Sequence, residues 1–272
     1  MVLLNSNKPE SITMIVFPAI ALYNVIELNV VLFTTFKRPG HGLYFWAFFV
    51  AIWGIVPQAV AALTETFVRF VGVGLATMYI LGWYAMVTGQ SLVLYSRLHL
   101  IVHKPSLLRG VLAMIIINAL ICHIPPTILA YGKDAGLTSF QGPYAIYEKI
   151  QVTLFFLQEV VISTIYMVEA RRLMRSLAAI DDGRGRARKL LVHLIVVNVL
   201  IVLLDTNILA MEYAGLHNVQ TSVKTFVYSA KLKLEFSILN RLVELTTRRG
   251  PLLLGSGYSA HCATRKMNVL RK

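Results

Sequence analysis

Residues 189–211 read KLLVHLIVVNVLIVLLDTNILAM. After Lys189 the run carries a single formal charge, Asp205. A helix rises about 1.5 Å per residue, so some 20 apolar residues cross the roughly 30 Å hydrocarbon core of a bilayer. Backbone N–H and C=O groups find no partner in lipid, so a spanning run must be helical. The stretch therefore predicts a transmembrane helix with one acid in its second half. Six further runs have the same character, at about 12–36, 42–63, 72–101, 108–130, 149–170 and 219–243. The first is longer than the roughly 7–15 residues of a signal-peptide core and reads as a retained helix. Breakers or charges separate the runs: KRPGHG, ETFVRF, HKPSLLRG, YGKDAGLTSFQGPY, ARRLMRSLAAIDDGRGRARK and YAGLHN.

Composition agrees. Apolar residues make up 57% of the 272-residue chain and charged residues 14%, against roughly 25% charged in soluble domains. The fold class expected is an all-α membrane protein of seven transmembrane helices. It is read as a single domain over 1–272, with a basic tail at about 246–272. Cys122 lies inside an apolar run and Cys262 in that tail, so no disulfide between them is expected.

Lys and Arg set the orientation. Seventeen fall in the first, third and fifth loops and the tail, against four (Lys8, Arg69, Lys133, Lys149) in the N-terminus and the even loops. The positive-inside rule places the N-terminus outside or in a lumen and the C-terminus in the cytosol. The formal net charge of +13 is then accounted for by topology and by attraction to anionic lipids at the cytosolic face. Nucleic-acid binding is not expected. The Asp181–Asp182 pair sits among arginines in the fifth loop and reads as solvated rather than as a metal site.

Acids inside the spans are the functional signal. Glu27, Glu159, Asp205 and Glu235 each cost about 2.5–3.5 kcal/mol to place at a helix centre, so each is a candidate functional residue. Helical spacing groups them. Tyr23 and Asn24 lie within a turn of Glu27. Phe155, Glu159, Ser163 and Tyr166 form one stripe, and Asn198, Asp205 and Glu212 another. Trp83, Gln90 and Arg97 repeat every seven residues in the third span, where Gly82 and Gly89 permit close packing. In the seventh span, KLKLEFSILN (231–240) sets Lys231 four residues before Glu235, so these two are expected to pair. Glu235 is then a poorer proton donor than Asp205 and Glu159, which are expected to be unpaired. Lys233 lies on another face and is expected to snorkel toward headgroups.

These features discriminate among classes. A receptor of the common type is disfavoured, because no cysteine opens the third span and the seventh lacks Asn-Pro-x-x-Tyr. A retinal Schiff base on Lys231 or Lys233 needs a counter-ion, and the third span has no carboxylate. A transporter is disfavoured by the lack of an inverted repeat. A buried carboxyl in apolar surroundings is suited to protonating an olefin or epoxide held against it. Aromatic faces then stabilise the carbocation.

The strings GWYAMVTGQSLVLYSRLHLI (82–101), LFFLQEVVISTIYMVEARR (154–172), VHLIVVNVLIVLLD (192–205) and YSAKLKLEFSILNRLVEL (228–245) resemble a family of fungal seven-span integral membrane proteins. That family is similar to the membrane-bound terpene cyclases of meroterpenoid pathways, of the ascofuranone and macrophorin type. The resemblance covers nearly the whole chain apart from the first dozen residues and the tail. It implies cyclisation of a prenyl chain on an aromatic or quinone-like head, started by protonation of an epoxide or olefin. The acidic motifs beside tryptophan that mark the paspaline-type cyclases are absent from this sequence.

The expectation is an integral membrane terpene cyclase of secondary metabolism, isomerase-like, with no metal or organic cofactor. Its substrate is a membrane-soluble prenylated small molecule, and its site an endomembrane such as the endoplasmic reticulum. Asp205 and Glu159 are the candidate catalytic acids, with Glu235 and Glu27 second. Trp83, Tyr84, Gln90 and Tyr228 are the candidate substrate-binding residues. The alternative is a seven-span receptor-like sensor without enzymatic activity.

Overall fold

The structure, a computed structural model, describes residues 9–36, 42–67, 73–102, 104–134, 137–178 and 184–248. The chain is all-helical, with no strand among the described residues. Its helices are α1 (Pro9–Thr35), α2 (Leu43–Phe67), α3 (Val73–Ile101), α4 (Pro105–Asp134), α5 (Gln141–Ala178), α6 (Arg184–Tyr213) and α7 (His217–Arg248). A short 3-10 turn, Thr138–Phe140, leads into α5. Each expected run coincides with one helix. The helices reach into the expected connectors: α5 begins near 141 rather than 149, and α5 and α6 leave only 179–183 of the polar fifth loop between them.

Five helices contain segments long and apolar enough to cross a membrane: Ile12–Thr35, Leu43–Thr64, Pro105–Gly132, Gln141–Arg172 and Val192–Tyr213. The chain thus has the build of a membrane-embedded protein. The remaining two, α3 and α7, are the most enclosed. α3 touches α2, α4, α5 and α7, while α7 touches α1, α2, α3 and α6. A helix surrounded by other helices need not be apolar, because its polar groups meet protein instead of lipid. The outer helices show the converse pattern. Ile117, Leu120, Ile124 and Ile128 of α4 and Val192, Val196, Val199 and Leu203 of α6 are exposed.

Close packing of α2 on α3 rests on glycine, as the sequence suggests. A Cβ on Gly89 would lie 2.7 Å from the Ala51 nitrogen, and one on Gly82 would lie 2.9 Å from the Gln58 nitrogen. Gly54 meets the Met86 backbone in the same way. Such small-residue contacts let helix backbones approach each other. Prolines sit inside α1, α2 and α4. Pro125 has no N–H to give the carbonyl four residues back, Ile121. The Tyr147 hydroxyl of α5 donates to that oxygen at 2.8 Å instead. α6 ends in a left-handed turn at Gly215 (φ 74°), where the Leu216 N–H returns to the Met211 carbonyl at 3.2 Å.

Expected features that fall on Lys8, Lys37, Arg38, Arg69, Asp181, Asp182, Cys262 and the tail after Arg248 lie outside the described residues. So do the side chains of Asn240 and Glu244. Cys122 is buried with a free thiol.

Candidate functional site

One face of α7 organises the interior. Gln220, Lys224, Tyr228, Lys231, Glu235 and Leu239 follow one another at three- or four-residue spacing, and all are buried. Each charged member of this stripe, Lys224, Lys231 and Glu235, meets opposite charge from another helix.

Lys231 is fully buried. Its ammonium donates to Asp205 Oδ1 of α6 at 2.7 Å and to Glu159 Oε2 of α5. It also lies 4.6 Å from the centroid of the Tyr228 ring. The expected Lys231–Glu235 pair does not form. The lysine stem is long enough to reach across the bundle, where two carboxylates await it. Glu235, one turn on, pairs with Arg97 of α3. The Arg97 guanidinium carbon sits 4.6 Å from the centre of the Tyr166 ring. The expectation that Asp205 and Glu159 are unpaired is likewise corrected, since both hold the same ammonium. Counter-ions for Lys231 thus come from α5 and α6, not from α3.

Two turns before Lys231, Lys224 lies 3.7 Å from Glu148 Oε1 and 4.0 Å from Glu212 Oε2. Its ammonium stands 4.8 Å from the Trp83 ring centre. Gln220 donates to Glu212 at 2.5 Å. This second cluster escaped the sequence reading. Its signal was Lys224 standing seven residues before Lys231, hence on the same face of α7. The Asn118–Gln158–Ser91 chain of hydrogen bonds, at 2.9 and 2.8 Å, was also missed.

The stripes expected on α3, α5 and α6 are buried as units: Trp83, Gln90 and Arg97; Phe155, Glu159, Ser163 and Tyr166; Asn198, Asp205 and Glu212. With Tyr228 of α7 they bring four candidate residues together. Glu159, Asp205, Trp83 and Tyr228 line one cavity of about 20 Å³, with Phe155, Phe156, Val152 and Ile208. Trp83 and Tyr228 meet edge to face, with centroids 6.0 Å apart. Asp205 Oδ2 is buried and has no protein hydrogen-bond partner, while Oδ1 holds Lys231.

The other candidates lie elsewhere. Tyr84 donates to the His123 carbonyl at 2.6 Å and also meets Thr127. It lines a second cavity, with Lys224 and Glu148. Gln90 is fully buried with both amide atoms unpartnered, away from both cavities. Glu235 is committed to Arg97 and does not line the acid cavity. Glu27 is not an interior residue. Its side chain is 48% exposed and pairs with Lys233 at 2.6 Å. The reason is the pitch of α1, which buries Asn24 and Leu28 but turns Tyr23, Ile26, Glu27 and Val30 outward. Lys233 reaches that carboxylate rather than extending alone toward headgroups.

The assembled centre is one ammonium held by two carboxylates beside four aromatic rings. Such a site can orient a carboxyl, exchange a proton at the free Asp205 oxygen and face a cation with π-density. No curated protein and no solved structure matches this chain. The family described as a domain of unknown function, DUF7703, matches residues 4–251, and the chain belongs to that family.

Proposed function

We propose that the chain is a seven-span membrane terpene cyclase, with its N-terminus outside or in a lumen and its basic C-terminus in the cytosol. The observation that carries this reading is the shared cavity, where Glu159 and Asp205 stand with Trp83, Phe155, Phe156 and Tyr228. Two carboxyls share the single Lys231 ammonium, so charge balance leaves one of them protonated; in the proposed reaction that proton sits on Asp205 Oδ2 and passes to a terminal olefin or epoxide of a prenyl chain. The π-electrons of the next double bond close the ring on the resulting cation. Loss of a proton from the cyclised cation to the carboxylate restores the acid. Atoms balance as an isomerisation, with no redox step and no role for a metal or organic cofactor.

Lys231 fixes the orientation of both carboxyls, and the rings disperse the positive charge. A cavity of about 20 Å³ is water-sized, so a prenyl chain enters only as the lining side chains give way. The substrate class is a membrane-soluble prenylated aromatic, met in an endomembrane, with anionic lipids gathered by the cytosolic Lys and Arg. The test is expression in a host fed a panel of farnesylated aromatic olefins and epoxides. Cyclised product from at least one supports the proposal, and unchanged substrate across the panel overturns it.

A second reading, a receptor-like sensor without enzymatic activity, draws on a different observation. Arg97–Glu235 and the Lys231 cluster tie α7 to α3, α5 and α6 by buried charge. Buried networks of this kind are suited to two-state helix movements. It predicts that neutralising Arg97 and Glu235 together changes helix spacing, read by paired spin labels, while no cyclised product forms with any substrate.

A further inference from the structure

Two cavities lie in series along α7. The outer one, of about 40 Å³, is formed near the junction of α4 and α5 by Lys224, Glu148, Gln151, Tyr84 and Ala130 among others. The inner one, of about 20 Å³, holds Glu159 and Asp205. Trp83 and Val152 line both. Each exceeds the roughly 10–15 Å³ that one water requires. Each also has a buried polar atom without a protein partner: Gln151 Nε2 in the outer cavity and Asp205 Oδ2 in the inner. Gln151 is 5% exposed and Asp205 7%. Buried polar groups in this state are ordinarily satisfied by ordered water. At the other end of the stripe, Glu235 is met by Arg97, with Tyr166 packed on the guanidinium.

We propose that the two cavities hold one run of ordered water, which joins the α4–α5 end of the bundle to the Lys231–Glu159–Asp205 cluster, with Trp83 as its constriction. Water enters past Lys224 and Glu148, is bound by Gln151 Nε2, and reaches Asp205 Oδ2 beside the Trp83 ring. The cluster thereby gains a path for proton exchange toward the α4–α5 end of the bundle, one proton in for one out. This holds whether the chain is a cyclase or a sensor.

The test is radiolytic hydroxyl labelling of the full chain in lipid nanodiscs, after rapid mixing with heavy-oxygen water. Phe155 lines the inner cavity, whereas Phe48 is fully buried and lines neither. Heavy oxygen is expected at Phe155 about tenfold faster than at Phe48. Ala130→Trp, which fills the outer cavity, is expected to slow that uptake about tenfold, and Trp83→Ala to quicken it. Protection of Phe48 serves as the folding control in each variant. If Ala130→Trp fails that control, Trp83→Ala decides. Labelling of Phe155 no faster than Phe48 overturns the proposal. So does uptake that neither folded variant changes, because water would then arrive by another path.

Discussion

Lys231 of α7 lies 2.7 Å from Asp205 of α6, while Glu235, one turn along the same helix, turns instead to Arg97 of α3. The ammonium is thus shared by two acids, and its removal is not symmetric with theirs. Lys231→Met leaves Glu159 and Asp205 together without a cation, an expected loss of about 3–5 kcal/mol. Asp205→Asn leaves a neutral Lys231–Glu159 pair and is expected to cost less. Replacing all three by apolar residues of similar volume is expected to recover most of the loss. Thermal unfolding of the four proteins in one lipid checks the order.

Activity should divide the acids differently from stability. Asp205→Asn and Glu159→Gln are each expected to abolish cyclised product at unchanged membrane expression. Glu27→Gln is expected to leave turnover unchanged, since that carboxylate is outside the cavity and half exposed. Product analysis of the three variants, normalised to expressed protein, is the measurement. Full activity in both interior variants removes the catalytic assignment.

Much of this was legible in the sequence, and the failures have a common physical origin. Apolar runs of about 20 residues located all seven helices, because a backbone in apolar surroundings must pair its own N–H and C=O groups. Stripes such as Phe155–Glu159–Ser163 were legible because residues on one helix face are buried as a set. Spacing within a helix does not say which neighbour a long side chain chooses. Lys231 and Glu235 are i, i+4 neighbours, yet each finds a partner on another helix. Nor does the sequence give the rotation of α1 about its axis, which alone decides that Asn24 is buried and Glu27 exposed. The Lys224 cluster joins Glu148, Glu212 and Lys224 from three helices, a relation that requires knowing which helices are adjacent.

The glycine contacts between α2 and α3 predict a position-specific penalty. Gly89→Ala puts a methyl 2.7–2.8 Å from the backbone and Cβ of Ala51. The helices must part, at an expected cost of about 1–3 kcal/mol. Gly110→Ala in α4 meets nothing within 4 Å and is expected to stabilise by up to about 1 kcal/mol through helix propensity. Opposite signs in the two melting shifts check the packing directly.

Arg97 and Glu235 provide the cleanest test of the inner charge pattern. Both side chains are at most 1% exposed, and no other acid is in salt-bridge contact with that guanidinium among the described residues. Arg97→Met strands Glu235, and Glu235→Gln strands Arg97 over Tyr166. Each single change is expected to cost about 3–5 kcal/mol. The paired change Arg97→Met with Glu235→Leu is expected to be far milder than the sum, giving a coupling of about 1–3 kcal/mol or more in a double-mutant cycle. The same cycle run on Lys233 and Glu27 is expected to give about 1 kcal/mol or less, because that pair is partly exposed and open to screening. Similar coupling in the two cycles would mean that burial does not separate the pairs, and the interior stripe of α7 would lose its special standing.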